Sequence, residues 1–231
     1  MAKYKHLFFD LDRTLWDLDR NATEALSDIY HKYNLNERGV PTVEGFVKHY
    51  NEYNELLWDR YRRRLIDKNT LRALRFKQVL AHYGVKDQKL SDSVEQDFIH
   101  EAPRRKHLVP GTKELLDHLK DDYKMHIITN GFPETQAYKM EHSGLTPYFD
   151  VIVTSEGVGH AKPDRKIFDH ALKMASATAS ESIMIGDDLA VDIVGAREAG
   201  WAQIFFNPAG GEHDEEVHHE VKHLSEIKNL V

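Results

Sequence analysis

The sequence predicts an α/β fold: a parallel sheet wrapped by helices, with an all-helical segment inserted behind the first strand. Short apolar runs at Leu7–Phe9, Met125–Ile128, Val151–Val153, Ile183–Ile185 and Ile204–Phe206 are bounded by charged or turn-forming residues, as in strands buried on both faces. Helical patterns follow these runs, so strands alternate with helices and the sheet is expected to be parallel. Residues 17–105, by contrast, show helical spacing and no convincing strand.

The first apolar run ends in Asp10-Leu11-Asp12-Arg13-Thr14. Ligands of open α/β sheets gather outside the carboxyl ends of the strands, so both carboxylates are expected in a crevice. Their spacing suits a nucleophile beside a proton carrier; a solvated Asp-rich turn or a cation loop is the alternative. In the insert, Asn21 with Glu24 resembles a capping pair ahead of a helix over 21–34. Gly39 and Pro41 then mark a break, and Phe46, Val47, Tyr50, Tyr53, Leu56, Leu57 and Trp58 predict a longer second helix. Leu71 to Tyr83, stopped by Gly84, and Val94 to His100, ahead of Pro103, complete the bundle.

Pro110-Gly111-Thr112 marks the return to the sheet, before a helix carrying Leu115, Leu116 and Leu119. The second strand runs into Thr129-Asn130-Gly131 and the third leads towards Lys162-Pro163, where Pro163 suits a first helical residue ahead of Ile167, Phe168, Ala171 and Leu172. The fourth ends in Gly186-Asp187-Asp188 with Asp192 following, and a helix from Ala190 to Ala199 ends at Gly200. A hydroxyl can donate to a phosphoryl oxygen, a lysine can neutralise charge, and paired carboxylates can hold a hard divalent cation. Each alone is ordinary turn chemistry; the four in this order point to phosphate chemistry.

At 231 residues, 41% hydrophobic and 30% charged, the chain has the composition of a globular core with a smaller inserted unit. No run approaches a membrane span, and Met1 to His6 leads straight into the first strand without a signal-peptide pattern, so the cytoplasm is the expected compartment. The absence of cysteine excludes disulfides and thiolate chemistry. A net charge of −7 argues against a nucleic-acid polymer as partner. An anionic substrate must therefore be met by locally placed cations. His213, His218, His219 and His223 fit no catalytic zinc spacing, and Gly157-Val158-Gly159 lacks the third glycine of a dinucleotide fingerprint.

Asp10-x-Asp12-x-Thr14, Thr129, Lys162-Pro163 and Gly186-Asp187-Asp188-x-x-x-Asp192 together resemble the four motifs of the haloacid dehalogenase-like (HAD) hydrolase superfamily. The resemblance implies a Rossmann-like parallel sheet core, residues 1–16 and 106–231, with an inserted all-helical cap domain at 17–105. It implies a Mg²⁺-dependent phosphatase acting on a small phosphorylated metabolite. Asp10 would be the nucleophile, and Asp12 the general acid and base. Thr129 would contact the phosphoryl group with the backbone N–H groups of Asn130 and Gly131, and Lys162 would offset charge. Mg²⁺ would be held by Asp10, Asp187 and the main-chain carbonyl of Asp12, supported by Asp192. Asp188 would support the metal or act only as an N-cap. Arg13 stands where the family commonly has glycine, which bears on the loop's backbone freedom. Trp16 is read mainly as a packing residue.

Within the superfamily, Tyr53-Asn54-Glu55-Leu56-Leu57-Trp58 and Leu74-Arg75-Phe76 look like the branch of nucleoside 5′-monophosphatases that favours pyrimidines. On that resemblance Asn54 would bond a base or sugar, Trp58 or Phe76 would stack on it and Arg75 would reach a phosphate, the alternative being that these residues fill the cap's own core. A sugar phosphatase or phosphomutase would share every catalytic residue. A dehalogenase would need neither Asp12 nor Asp187, and a non-catalytic phosphate-binding protein would have little use for the full set.

Overall fold

The computed structural model describes residues 4–231; Met1 to Lys3, part of the stretch read above as carrying no signal peptide, lie outside the described residues. The chain forms two compact units, one running up to Leu18 and resuming at Lys106–Val231, the other Asp19–Arg105.

The first unit is built on six strands: β1 (His6–Phe9), β2 (Lys124–Thr129), β3 (Val151–Thr154), β4 (Ser182–Gly186), β5 (Ala202–Phe206) and β6 (His219–Val221). Every pairing is parallel, in the order β3-β2-β1-β4-β5-β6. Side chains alternate across β1, so Leu7 and Phe9 join Met125, Ile127, Ile183 and Ile185 in one buried cluster. Phe8 joins Ile128, Met184, Phe168 and Trp201 in the other. Both faces are covered, which is why the strands read as unbroken apolar runs. The strand order reverses at β1, between β2 and β4, and such a switch point opens a crevice at the carboxyl ends.

The second unit holds α1 (Leu18–Lys32, its first residue in the other unit), α2 (Val43–Arg62), α3 (Lys68–His82) and α4 (Gln88–Glu101) around Leu26, Ile29, Phe46, Phe76, Val79, Leu80 and Val94. Helix α1 starts earlier than expected, at Leu18, which packs against the sheet core; Asn21 is therefore a buried helical residue and not a cap. Helices α3 and α4 also start earlier, at caps formed by Asp67 (from Thr70 N, 2.7 Å) and Asp87 (from Leu90 N, 3.0 Å). The first turn of α3, Lys68-Asn69-Thr70, is polar and carries no apolar periodicity, whereas in α4 the buried Leu90, four residues before Val94, carried a signal that was not read.

In the first unit, α5 (Thr112–Leu119), α6 (Pro133–Ser143), α7 (Ser155–Val158), α8 (Arg165–Ala175) and α9 (Gly195–Glu198) flank the sheet. Pro163 is not the first residue of α8: the Lys162–Pro163 bond is cis, and Asp164 caps the helix by accepting from Lys166 N at 3.0 Å. A π-helical stretch, Leu189–Val194, precedes α9. Among the described residues no helix is long and apolar enough to cross a membrane.

Candidate active site

Four strand ends and the loops behind them bring the predicted core residues together. β1 delivers Asp10 and the loop through Thr14, β2 delivers Thr129, the segment after β3 delivers Lys162, and β4 delivers Asp187 and the stretch carrying Asp192. Lys162 is buried and lies at the centre of this group. Its Nζ sits 2.6 Å from Asp10 Oδ1 and 2.6 Å from Asp192 Oδ1, and it donates to the Ile128 carbonyl at 2.7 Å. The loop carrying it is tied to the second motif, because Asn130 Nδ2 donates to the Lys162 carbonyl at 3.0 Å and Lys162 N donates to Asn130 Oδ1 at 2.8 Å. Asn130 thus fixes the lysine loop, a role additional to the phosphoryl contact expected of its N–H.

Asp10, Asp187 and Asp192 place a carboxylate oxygen each within 4.8 Å of one another. Asp187 accepts from Thr14 Oγ1 at 2.8 Å. Asp192 has both oxygens engaged, one beside Lys162 and the other accepting from Asp188 N at 3.2 Å. Asp188 turns its side chain to Ala190 N and Val191 N at 3.1 and 3.0 Å, so it caps the turn that positions Asp192. Burial, followed by repulsion from Asp192, pushes the Asp187 carboxyl up to about 7. Burial likewise raises Asp10 and Asp192, against the pull of Lys162. Lys162 stays charged because Asp10 and Asp192 outweigh the cost of burying it. One lysine among three crowded carboxylates leaves negative charge uncompensated. An all-oxygen donor set of this kind fits a hard divalent cation.

Asp12 occupies a different setting. Its Oδ1 lies 2.5 Å from Lys139 Nζ and its Oδ2 accepts from Gln136 Nε2 at 3.0 Å. Gln136 Nε2 also donates to Thr129 Oγ1 at 2.7 Å, and Gly131 N donates to the same oxygen at 3.1 Å. With two donors on its oxygen, the Thr129 hydroxyl proton is left to point at an acceptor elsewhere, as contact with a phosphoryl oxygen requires. Lys139 also lies 4.5 Å over the ring of the buried Trp16. Sequence reasoning missed Gln136 and Lys139. The signal available was their spacing on a helix after Gly131, since residues three apart share a helical face.

Gly131 and Gly186 are required by close approach. A Cβ on Gly131 would meet Gln136 Nε2 at 2.3 Å, and one on Gly186 would meet Asp192 Oδ2 at 2.3 Å. Arg13 holds φ +63, the left-handed conformation that the family's glycine adopts freely, with its N–H donating to the Trp16 carbonyl at 2.8 Å.

The cap candidates lie in the helical unit. Arg75 is buried, paired with Glu95 (Nη2 to Oε1 2.5 Å, Nε to Oε2 3.1 Å) and stacked 4.9 Å over the Phe98 ring. Asn54 Oδ1 accepts from Arg75 Nη1 at 3.4 Å, and Trp58 is half-buried with its ring edge-on to Tyr61 at 5.5 Å. Arg75 therefore spends its charge inside this unit. Of the four histidines weighed for metal, His213 pairs with Glu220 at 3.2 Å and His218 bonds Gln203. His219 belongs to β6 and His223 precedes the final turn.

A family model described as haloacid dehalogenase-like hydrolase matches residues 4–200. The chain is 34% identical over 206 residues to pyrimidine 5′-nucleotidase YjjG of Escherichia coli, covering 89% of this chain and 87% of that one. It is 32% identical over 207 residues to pyrimidine 5′-nucleotidase PynA of Streptococcus pneumoniae, covering 89% and 84%. Among solved structures, the HAD-hydrolase YfnB of Bacillus subtilis bound to magnesium superimposes with a TM-score of 0.88 at 26% identity, covering 99% of both chains. The motifs, the parallel sheet with its switch point at β1 and these similarities agree: the chain belongs to the haloacid dehalogenase-like hydrolases.

Proposed function

We propose that the protein is a Mg²⁺-dependent phosphatase that hydrolyses nucleoside 5′-monophosphates, pyrimidine nucleotides foremost, through an aspartyl-phosphate on Asp10. The observation that carries the reading is the division of labour between two carboxylates two residues apart. Asp10 faces Lys162 and the Asp187 and Asp192 carboxylates, whereas the Asp12 carboxylate is bonded to Lys139 and Gln136. A nucleophile must be ionised, and Lys162 with a bound cation would favour that state of Asp10 against the burial that raises it, while Asp12 has hydrogen-bond partners of its own.

Asp10 would attack phosphorus in line while Asp12 protonates the departing alkoxide. Asp12 would then take a proton from the water that cleaves the acyl phosphate. Thr129 and the N–H groups of Asn130 and Gly131 would hold the phosphoryl oxygens, and Lys162 would offset their charge. Asp10, Asp187 and the Asp12 main-chain carbonyl would hold Mg²⁺, with Asp192 in support. When bound, the cation supplies positive charge against the nucleophile and the phosphoryl oxygens. The oxygen donor set supports this choice of metal, as does the magnesium bound by the YfnB relative.

The nucleotide preference is drawn from the two pyrimidine 5′-nucleotidase relatives. We assign base contact to Trp58 and Asn54 of the cap. Phosphate release from UMP, dUMP and dTMP beside sugar phosphates, with and without Mg²⁺, tests the reading. Faster turnover of the nucleotides supports it; turnover of sugar phosphates alone removes the nucleotide assignment and keeps the chemistry.

A further inference from the structure

We infer that Gln136 and Lys139 of α6 are positioning residues for the proton-transfer step, holding the Asp12 carboxylate in register with Thr129. The inference rests on the phosphatase reading above and extends it to two side chains outside the four motifs. Lys139 is buried, and its ammonium is 2.5 Å from Asp12 Oδ1 and 4.5 Å from the Trp16 ring centroid. Gln136, one turn earlier, donates from one nitrogen to both Asp12 Oδ2 and Thr129 Oγ1. Both oxygens of Asp12 are therefore tied to one helical face, and that face is tied to the hydroxyl expected to contact the phosphoryl group. The cluster has a structural cost, because burying a lysine and a glutamine requires partners for their polar atoms. Gly131 makes room for it, since no side chain fits where Gln136 passes.

The chemistry that needs this geometry is specific. In the first step the Asp10–phosphorus bond forms, the phosphorus–oxygen bond to the alcohol breaks, and the Asp12 proton moves to that oxygen. In the second, water attacks phosphorus, its proton moves to Asp12, and the bond to Asp10 breaks. A nucleoside leaving as a poor alkoxide requires the first proton transfer, whereas an aryl phosphate with an acidic phenol hardly does. General acid catalysis typically contributes ~10²–10⁴-fold, so misplacing the acid should cost part of that with one substrate and little with the other.

The test measures kcat/KM, which reports the steps up to departure of the alcohol and not the later hydrolysis common to both substrates, for UMP and for p-nitrophenyl phosphate in the same preparations of wild type, Lys139→Met, Gln136→Leu and Lys139→Arg. The ratio of the two rates is independent of the fraction of enzyme folded. Lys139→Met and Gln136→Leu are expected to lower the UMP to p-nitrophenyl phosphate ratio by at least about 10-fold, with Lys139→Arg restoring most of it. Lys139→Met in an Asp12→Asn background should lower the ratio no further, because both changes remove the same function. Equal losses on both substrates, or no loss on either, would overturn the inference and leave the phosphatase reading standing. Wild type inactive on both substrates with Mg²⁺ would instead overturn that reading, and the inference with it.

Discussion

Gly186 closes β4 against Asp192, and the fit leaves no space for a methyl group: a Cβ there would lie 2.3 Å from Oδ2 and 2.6 Å from the Asp192 Cβ. Gly186→Ala must push Asp192 away, and Asp192 holds both Lys162 and the Asp188 main chain. Groups that orient metal ligands commonly contribute 10–100-fold to metal affinity. The Mg²⁺ concentration giving half-maximal phosphate release is therefore expected to rise by ~10–100-fold in Gly186→Ala. An unchanged Mg²⁺ dependence would show that Asp192 is not part of the cation's support. Arg13 presents the opposite case, a side chain where glycine is common. Its left-handed backbone, φ +63, shows that the loop keeps the turn and pays about 1–2 kcal/mol in local strain.

At the scale of elements, Arg75 and Glu95 fasten α3 to α4 through a buried ion pair, with Asn54 of α2 on the same guanidinium. Removing one partner of such a pair strands the other charge, at a cost of about 3–5 kcal/mol. Arg75→Met is therefore expected to lower the denaturant midpoint by a corresponding amount. A stability loss under about 1 kcal/mol with a large rise in KM would instead return Arg75 to substrate binding. What the sequence disclosed differed by element for physical reasons. β1, β2, β4 and β5 were legible because burial on both faces demands continuous apolar runs. α6 was assigned no bounds, since its buried face is Gln136, Lys139, Met140 and Ser143; a helix that turns polar groups towards a site has no apolar stripe to read. β6 was hidden in a histidine-rich stretch where only Val221 is fully buried. The motif carboxylates, Thr129 and Lys162 were readable because strand ends place them, whereas their partners Gln136 and Lys139 required the helix to be seen.

At the scale of the whole molecule, the parallel sheet gathers polar groups at its carboxyl end and carries a histidine pair within β1 and β2. His6 Nδ1 and His126 Nε2 lie 3.0 Å apart, with the rings stacked at 5.3 Å, so one ring must donate and the other accept. Burial, then the neighbouring His6, hold His126 down at about 4 from its ordinary 6.5. Between those values the unfolded chain binds the proton that the folded chain refuses. This contribution to stability is complete above about pH 6.5 and is lost as the pH falls towards 4. Thermal midpoints of wild type and His126→Phe across that range should converge as the medium turns acid, the carboxylates being common to both. Parallel curves would contradict the assignment.

The central claim is covalent catalysis by Asp10, and the most direct test is to catch the intermediate. Enzyme turning over a nucleotide with a radiolabelled phosphoryl group in Mg²⁺ is quenched with acid, digested and mapped. The account predicts a hydroxylamine-sensitive label on the peptide containing Asp10, absent from Asp10→Asn, which should also lose phosphate release. Sustained turnover by Asp10→Asn, with no label on the protein, would contradict it.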